Sequence, residues 1–454
     1  MLEDEGARIS LAGDGLQPGD VVTGVVAAVR GRVLPDGSFD VAEVREPAAS
    51  MCAHQRCIRA AAAGGSKLPS CRRAQVCFAG PAPQPPLPAP GGEPKYVAII
   101  SGLAMGDENA NPLLGQLLVD YLSGLLGGRQ ERETVRRVVR VVVAGGLLKS
   151  SAHLSQPTAY SSVRQQGAAL GPLRDADMSL TELAGAVPVN VMPGARRGSG
   201  GAAAAALAGR HVGAAVCLPR LLSARHMQGT HLAMRPWLPG AGDPANYSLP
   251  QQPLHRCLLP GSSPFPTLHR VTNPHDFSVD GVAFLGTSGQ NVDDVFRWGR
   301  GRRRRGGERG SRGGGCGAHP CAPSMVLRSF LVVSRCSNLM PLCILPFYGR
   351  YSDIEDRTAI LERLLRWRHL IPTAPDTLAA YPYYDADPFI ITSTPHVLFA
   401  GGQPAFASAL VPLENGDSPG VRVVAVPNFS STGTIVLVNL QTLEVRPVQF
   451  DASM

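Results

Sequence analysis

The 454-residue chain predicts an α/β sandwich that finishes in β-rich sequence and is preceded by a small β domain. Three observations carry this expectation. From Tyr96 onward, short apolar runs alternate with helical stripes ("YVAIIS", "NPLLGQLLVDYLSGLLG", "VRVVVAG"), a β–α–β order that argues for a largely parallel sheet covered on both faces. Toward the C-terminus "FIITSTPHVLFAGG", "VRVVAVPNF", "GTIVLVNLQ" and "EVRPVQF" return to strands. The first 44 residues hold β-branched runs with no helical period.

Taken in order, "ARISLAG" and "DVVTGVVAAV" read as strands, and "LPDGSFDVAEV" supplies a Pro-Asp-Gly turn into a third. Three strands do not close a barrel, so this domain, residues 1–79, is expected to lack its first strands or to be completed elsewhere. "GPAPQPPLPAPGGEP" makes 80–95 a proline-rich linker, and 96–454 forms the larger domain. There Leu113, Leu117, Tyr121 and Leu125 lie beside Leu114, Leu118, Leu122 and Leu126 on one helical stripe. An amphipathic piece near 178–185 leads into the strand "VPVNVM", and "GVAFLGTSGQNVDDVF" reads as strand, Gly-rich corner and helix start. "YSDIEDRTAILERLLRWRHL" is expected to be a helix, with Ser352 and Glu355 as a capping box ahead of an Ile354, Ile360, Leu361, Leu364, Leu365 face.

The formal charge of +8 is unevenly placed. Residues 45–76, 195–240 and 298–350 carry +5, +6 and +9, which leaves −12 on everything else. Eight of the ten cysteines lie in the same stretches, and the two in the other 323 residues suit a reducing compartment rather than a disulfide framework. The three stretches are rich in Ala, Gly and Arg and interrupt segments that read coherently across them. They are therefore expected to be insertions, either translated intron sequence or lineage-specific loops. Met1 to Glu5 is acidic, unlike a secretory signal. Met325 to Tyr348 is broken by Arg328, Arg335, Pro341 and Pro346, unlike a membrane span.

In α/β sheets ligands bind at the carboxyl ends of strands. Four such corners can be read: Ser101-Gly102-Leu103, Gly145-Gly146-Leu147, Pro193-Gly194, and Gly401-Gly402-Gln403-Pro404. Their order and spacing resemble the calcineurin-like phosphoesterase layout. In that layout the corners carry Asp-x-His, Gly-Asp, Gly-Asn-His-Asp and Gly-His-x-His, which hold two metal ions that activate water. Here Ser101, Leu103, Gly145, Gly146, Pro193, Gly194, Gly402 and Gln403 stand at the degenerate corners, and no ligand remains. The expectation is no catalytic residue, no metal and no cofactor.

The longer motifs "VPVNVMPG", "DPANYSLPQQPLH", "VTNP", "GVAFLGTSGQNVDDVF", "RWRHLIPTAPDTLAAYPYYDADPFII", "PHVLFAGGQP" and "VPNFSSTGTIVLVNLQTLEV" resemble the B-subunit family of DNA polymerases alpha, delta and epsilon, and within it the delta branch. The opening segment is similar to the back half of that family's OB-fold. Family members start well upstream, so the resemblance implies a partial OB-fold packed on an inactivated phosphoesterase domain. It further implies a non-catalytic nuclear scaffold. Such a scaffold holds the C-terminal metal-binding region of the catalytic subunit of DNA polymerase delta and a small third subunit, with DNA reached only through the complex. The other class weighed is an active metallophosphodiesterase or 3′-exonuclease of the same architecture, which needs about six converging ligands.

Asp107 and Asp243 are expected to be surface charges, and His255 and His396 to be hydrogen-bonded packing. Cys52, Cys57, Cys71 and Cys77, and Cys316, Cys321 and His319, fit zinc spacings poorly. "RGRRRRGGERGSR" reads as a nuclear import signal or RNA-binding tract only if the segment is made. Ser288 in Gly286-Thr287-Ser288-Gly289 is expected to cap the following helix. Tyr381, Tyr383, Tyr384 and Phe389 form an aromatic cluster whose interleaved Asp385 and Asp387 favour a protein partner over nucleic acid.

Overall fold

The computed structural model describes residues 2–3, 8–13, 21–22, 24–45, 84–87, 91–107, 109–149, 171–194, 243–296, 343–344, 356–383, 387–413 and 419–451. Elements are numbered in chain order. The N-terminal sheet contains β1 (Leu2–Glu3), β2 (Arg8–Ile9), β3 (Leu11–Ala12), β4 (Val26–Val33) and β5 (Phe39–Arg45), with β12 (Cys343–Ile344) paired between β1 and β4. The Pro-Asp-Gly turn joins β4 to β5 as expected: Asp36 Oδ1 accepts from the Ser38 amide at 2.9 Å and hydroxyl at 2.6 Å. Val29, Phe39 and Val41 form its small core. One strand of this sheet thus comes from within 298–350, a stretch whose composition gave no sign of it.

The larger domain holds two mixed sheets. One has the order β17-β16-β6-β7-β8-β9, in which β6 (Tyr96–Ile100), β7 (Val138–Ala144), β8 (Val189–Met192) and β9 (Leu268–Arg270) run parallel. The C-terminal strands β16 (Thr434–Asn439) and β17 (Val445–Gln449) add to it antiparallel. The other has the order β10-β11-β13-β15-β14, with β11 (Val282–Thr287), β13 (Val397–Gln403) and β15 (Val421–Pro427) parallel. Its edges β10 (His275–Val279) and β14 (Ala407–Val411) are antiparallel. The β–α–β start predicted the parallel centres. Strand pattern alone did not say that the last two strands return beside the first.

Side-chain alternation assigns the layers, because successive residues of a strand point to opposite faces. Val97, Ile99, Val142, Ala144 and Met192 of one sheet meet Phe284, Val397, Phe399, Val424 and Val426 of the other in a shared core. Gly286 makes room there, since a Cβ would come within 1.9 Å of the Phe399 ring. The opposite face of the first sheet (Ile100, Val141, Val143, Val191) packs under α1 (Pro112–Leu122), α2 (Arg129–Arg136) and α3 (Gly171–Ala186). The opposite face of the second (Leu285, Leu398, Val421, Val423) packs under α4 (Arg357–Trp367), in a cluster that also takes in Val22 and Val25 from the N-terminal domain. The order is helices, sheet, sheet, helix. A further short helix, α5 (Phe429–Thr432), follows β15.

Two helix expectations are corrected. α1 ends at Leu122, so its buried face is Leu118, Val119, Tyr121 and Leu122, while Leu113 is 45% and Leu125 76% exposed. The eight-position stripe overran the C-cap at Ser123, where the helical period stops. α4 is capped by Asp356, whose side chain accepts from the Thr358 amide at 3.0 Å. Ser352, Ile354 and Glu355 lie outside the described residues.

Two histidines, His396 buried and His275 half-buried, tie distant segments together. His396 is fully buried, its Nδ1 accepting from the Ala283 amide at 2.9 Å and its Nε2–H donating to the Pro85 carbonyl of the linker at 2.8 Å. The bond at Nδ1 needs the neutral ring, and burial lowers its pKa, opposed by the bond to Pro85. On β10, His275 stacks on Phe277 at 4.8 Å and meets the Asn190 side-chain amide at 3.2 Å; burial, and then Arg140, push it down to about 4. The unfolded chain takes up these protons near the ordinary 6.5 while the folded chain refuses them. Stability is therefore expected to be full above pH 6.5 and to fall between that value and about 4. Urea midpoints measured from neutral to mildly acidic pH check this, and His275→Phe is expected to flatten the decline.

Candidate functional site at the strand ends

Because β6, β7 and β8 run parallel in one sheet, and β11, β13 and β15 in the other, their carboxyl ends gather at one end of the domain. The four corners meet there, packed backbone against backbone. Gly102 donates to the Gly145 carbonyl and Ala104 to that of Gly146, both at 2.9 Å. Gly102, Gly145, Gly146 and Gly402 all have φ between 63 and 76°, the left-handed region that only glycine adopts cheaply. Gly194 has ordinary dihedrals but no room: a Cβ would lie 2.2 Å from the Gly146 nitrogen and 2.8 Å from the Gly145 carbonyl carbon.

Polar side chains close what the glycines bring together. Ser101, the first residue of the first corner, donates its hydroxyl to the Ala144 carbonyl at 2.8 Å and accepts from the Gly402 amide at 2.7 Å, joining three strand ends. Leu103 turns into the helix-side core instead. Gln403 is fully buried; its Nε2 donates to the Gly401 carbonyl at 2.7 Å and its Oε1 accepts from Arg357. Arg357 also pairs with Asp293 at 2.5 Å and lies over the Phe296 ring at 4.4 Å, so the fourth corner is clipped to the start of α4.

Asp243 is the centre of this arrangement, and the expectation that it is a surface charge is wrong. The residue is buried, and its carboxylate accepts from the amides of Gly146 at 2.9 Å, Leu148 at 2.8 Å and Gly194 at 2.7 Å. One side chain thereby fixes the second corner to the third. Burial pushes its pKa up, opposed by the surrounding backbone amides. Beside it sits a buried amide cluster. The Asn273 side chain donates to Gln251 Oε1 at 2.8 Å and to the Ser288 hydroxyl at 2.7 Å, and its carbonyl accepts the Ser288 amide at 3.1 Å. Ser288 serves Asn273 in place of the helix-capping role read from sequence.

These residues do not fit a two-metal centre. The corners offer one hydroxyl, one amide, two leucines, two prolines and glycines, and the carboxylate nearest to them already has three backbone donors. Among the described residues no three His, Cys, Asp or Glu side chains converge in a metal-binding group. The other candidates are dispersed. Asp107 is half-buried and pairs with Lys149, which helps hold its carboxyl below the usual range. His255 accepts from the Cys257 amide at 3.3 Å in an exposed turn. His396 is core, as above. Cys52, Cys57, Cys71, Cys77, Cys316, Cys321, His319 and the arginine tract lie outside the described residues, as does Tyr384. Phe389 is a correction: it is 4% exposed, within the core under α4, whereas Tyr381 and Tyr383 are exposed.

Comparison with known proteins agrees with the motifs. Residues 237–408 match the family of DNA polymerase alpha/epsilon B-subunits, and residues 1–44 match the DNA polymerase delta subunit OB-fold domain. The chain is 32% identical to the DNA polymerase delta small subunit of Arabidopsis thaliana over 100% of its own length and 73% of that protein. The chain belongs to the DNA polymerase delta small-subunit family. The rice protein of the same name is also 32% identical, with 100% and 74% covered, and that of Saccharomyces cerevisiae is 25% identical, with 99% and 70% covered. Membership makes the chain an accessory subunit of DNA polymerase delta, with an OB-fold at its N-terminal end.

Sequence reasoning found the corners of this accessory chain; it missed Asp243, Asn273, Gln251 and Arg357 as the groups that close them. The available signal was Asp243 standing just after the 195–240 stretch, where the interrupted corner resumes. Asp243→Ala strands one buried and two part-buried amides at about 1 kcal/mol each, so a loss of about 3 kcal/mol is expected in urea unfolding. Gly194→Ala is expected to cost about 2 kcal/mol through overpacking alone, read the same way.

Proposed function

We propose that the chain acts as the scaffold of DNA polymerase delta. In this reading it holds the C-terminal metal-binding region of the catalytic subunit on one side and a small third subunit on another, in nuclear replication and repair synthesis. DNA is reached through the complex. The observation that carries the non-catalytic part is the closure of the strand ends. The place where a hydrolase would present ligands to water is filled by glycine backbone, Ser101, Gln403 and the Asp243 carboxylate. The helix-sheet-sheet-helix order and the meeting of four glycine corners support reading the domain as a calcineurin-like phosphoesterase sandwich that has lost its metal site. The −12 charge outside the three arginine-rich stretches favours basic protein segments over phosphate backbones.

The stretches 195–240 and 298–350 are insertions in the same reading, and 45–76 is a third. Support comes from their flanks. Gly194 donates to Asp243 at 2.7 Å, and Arg357 stacks on Phe296, so the chain leaves and returns at the same two points.

Co-expression of the full chain with the catalytic subunit is expected to yield a stable complex. The purified chain is expected to hold no stoichiometric Mn or Fe and to leave phosphodiesters uncleaved. Two bound metal ions with hydrolysis would overturn the scaffold reading in favour of the exonuclease class.

A further inference from the structure

Tyr381 and Tyr383 stand out because they are 55% and 46% exposed beside a backbone crossing that fixes the chain at Tyr381. Their rings meet edge to face at 5.0 Å. The Tyr381 amide donates to the Leu249 carbonyl at 2.8 Å, and the Leu249 amide to the Ala379 carbonyl at 2.9 Å. Tyr247, two residues before Leu249 of this crossing, is 62% exposed. Leu249 and Phe389 are buried on either side of the exposed rings in sequence and anchor both segments in the core under α4. Large aromatics on a pinned backbone lose little entropy on binding, which is the profile of interface anchors.

The charge around them selects the partner. Residues 243–255 and 369–421, the two segments that meet here, contain no Lys or Arg. Asp376 and Asp387 are exposed on the second segment, Asp387 pairing with His369 at 2.9 Å. Tyrosine faces attract cations, and acids beside them reinforce that preference. Within these two segments, which Arg256, Arg368 and Arg422 bound, a phosphate backbone would meet acids and no Lys or Arg.

We propose that Tyr381 and Tyr383, flanked by Tyr247, form a docking strip for an extended Lys- and Arg-bearing segment of a protein partner. The proposal rests on the accessory-subunit reading for its biological setting, because such a chain works by holding others.

The test uses the full chain, a Tyr381→Ser/Tyr383→Ser variant and a Tyr381→Phe/Tyr383→Phe variant. The probe is a fluorescent peptide of about ten alternating Arg and Ala residues, with an oligo-dT strand as competitor, read by anisotropy. Saturable binding to the natural chain is expected, about tenfold weaker in the serine variant, preserved in the phenylalanine variant and untouched by oligo-dT. Absence of saturable binding, equal binding by the serine variant, or displacement by oligo-dT would overturn the strip. Co-purification of the natural chain with the catalytic subunit is scored separately. Its failure sinks the accessory reading, whereas failure of the peptide experiment alone sinks the strip.

Discussion

The larger domain depends on how its parallel strands end. Six strands from two sheets deliver their carboxyl ends to one region, and with them a concentration of backbone groups that no regular ladder satisfies. Side chains have to hold such a region together. Here the Asp243 carboxylate, the Ser101 hydroxyl and the Gln403 amide do so, over glycines close enough that a single methyl group would collide with a neighbouring main chain. A buried charge is costly unless it is hydrogen-bonded on every side, and Asp243 meets that condition with three backbone donors. The arrangement trades solvent access for rigidity.

Rigidity at this end has consequences further out. The fourth corner is fixed to α4 through Gln403, Arg357 and Asp293, and α4 covers the cluster into which Val22 and Val25 of the N-terminal domain insert. The linker is held from the other direction, where His396 and the Gln84 side chain, donating to the Gly420 carbonyl at 2.8 Å, fasten residues 84–85 to the second sheet. An accessory subunit needs its own parts kept in register before any partner arrives, and these contacts run continuously from the strand ends to the domain boundary.

Much of this was legible in the sequence. Both-face burial writes continuous apolar runs such as 141–144 and 397–400, and tight corners write glycine pairs, so strand centres and corners could be located from local pattern. What could not be read was pairing across distance. Asp243 looks like any acid beside a glycine, because its three donors come from residues about a hundred and about fifty positions away, and burial of a carboxylate is decided by those donors. Phe389 failed for a similar reason: an aromatic among tyrosines suggests a surface cluster until the core beneath α4 is assembled around it. The capping error at α4 is a matter of one turn, since Ser352 and Asp356 are both sound N-cap residues and only the helix start distinguishes them.

The hydrogen bond between Gly194 and Asp243 joins the two flanks of a long stretch of chain across 2.7 Å. Where the entry and exit of a segment coincide, its length sets little of the geometry on either side, because loop closure costs rise only slowly with length. The position therefore behaves as a graft point: a short bridge, a reporter domain or an affinity handle placed there would leave the strand-end corners to close on themselves, provided Asp243 is kept.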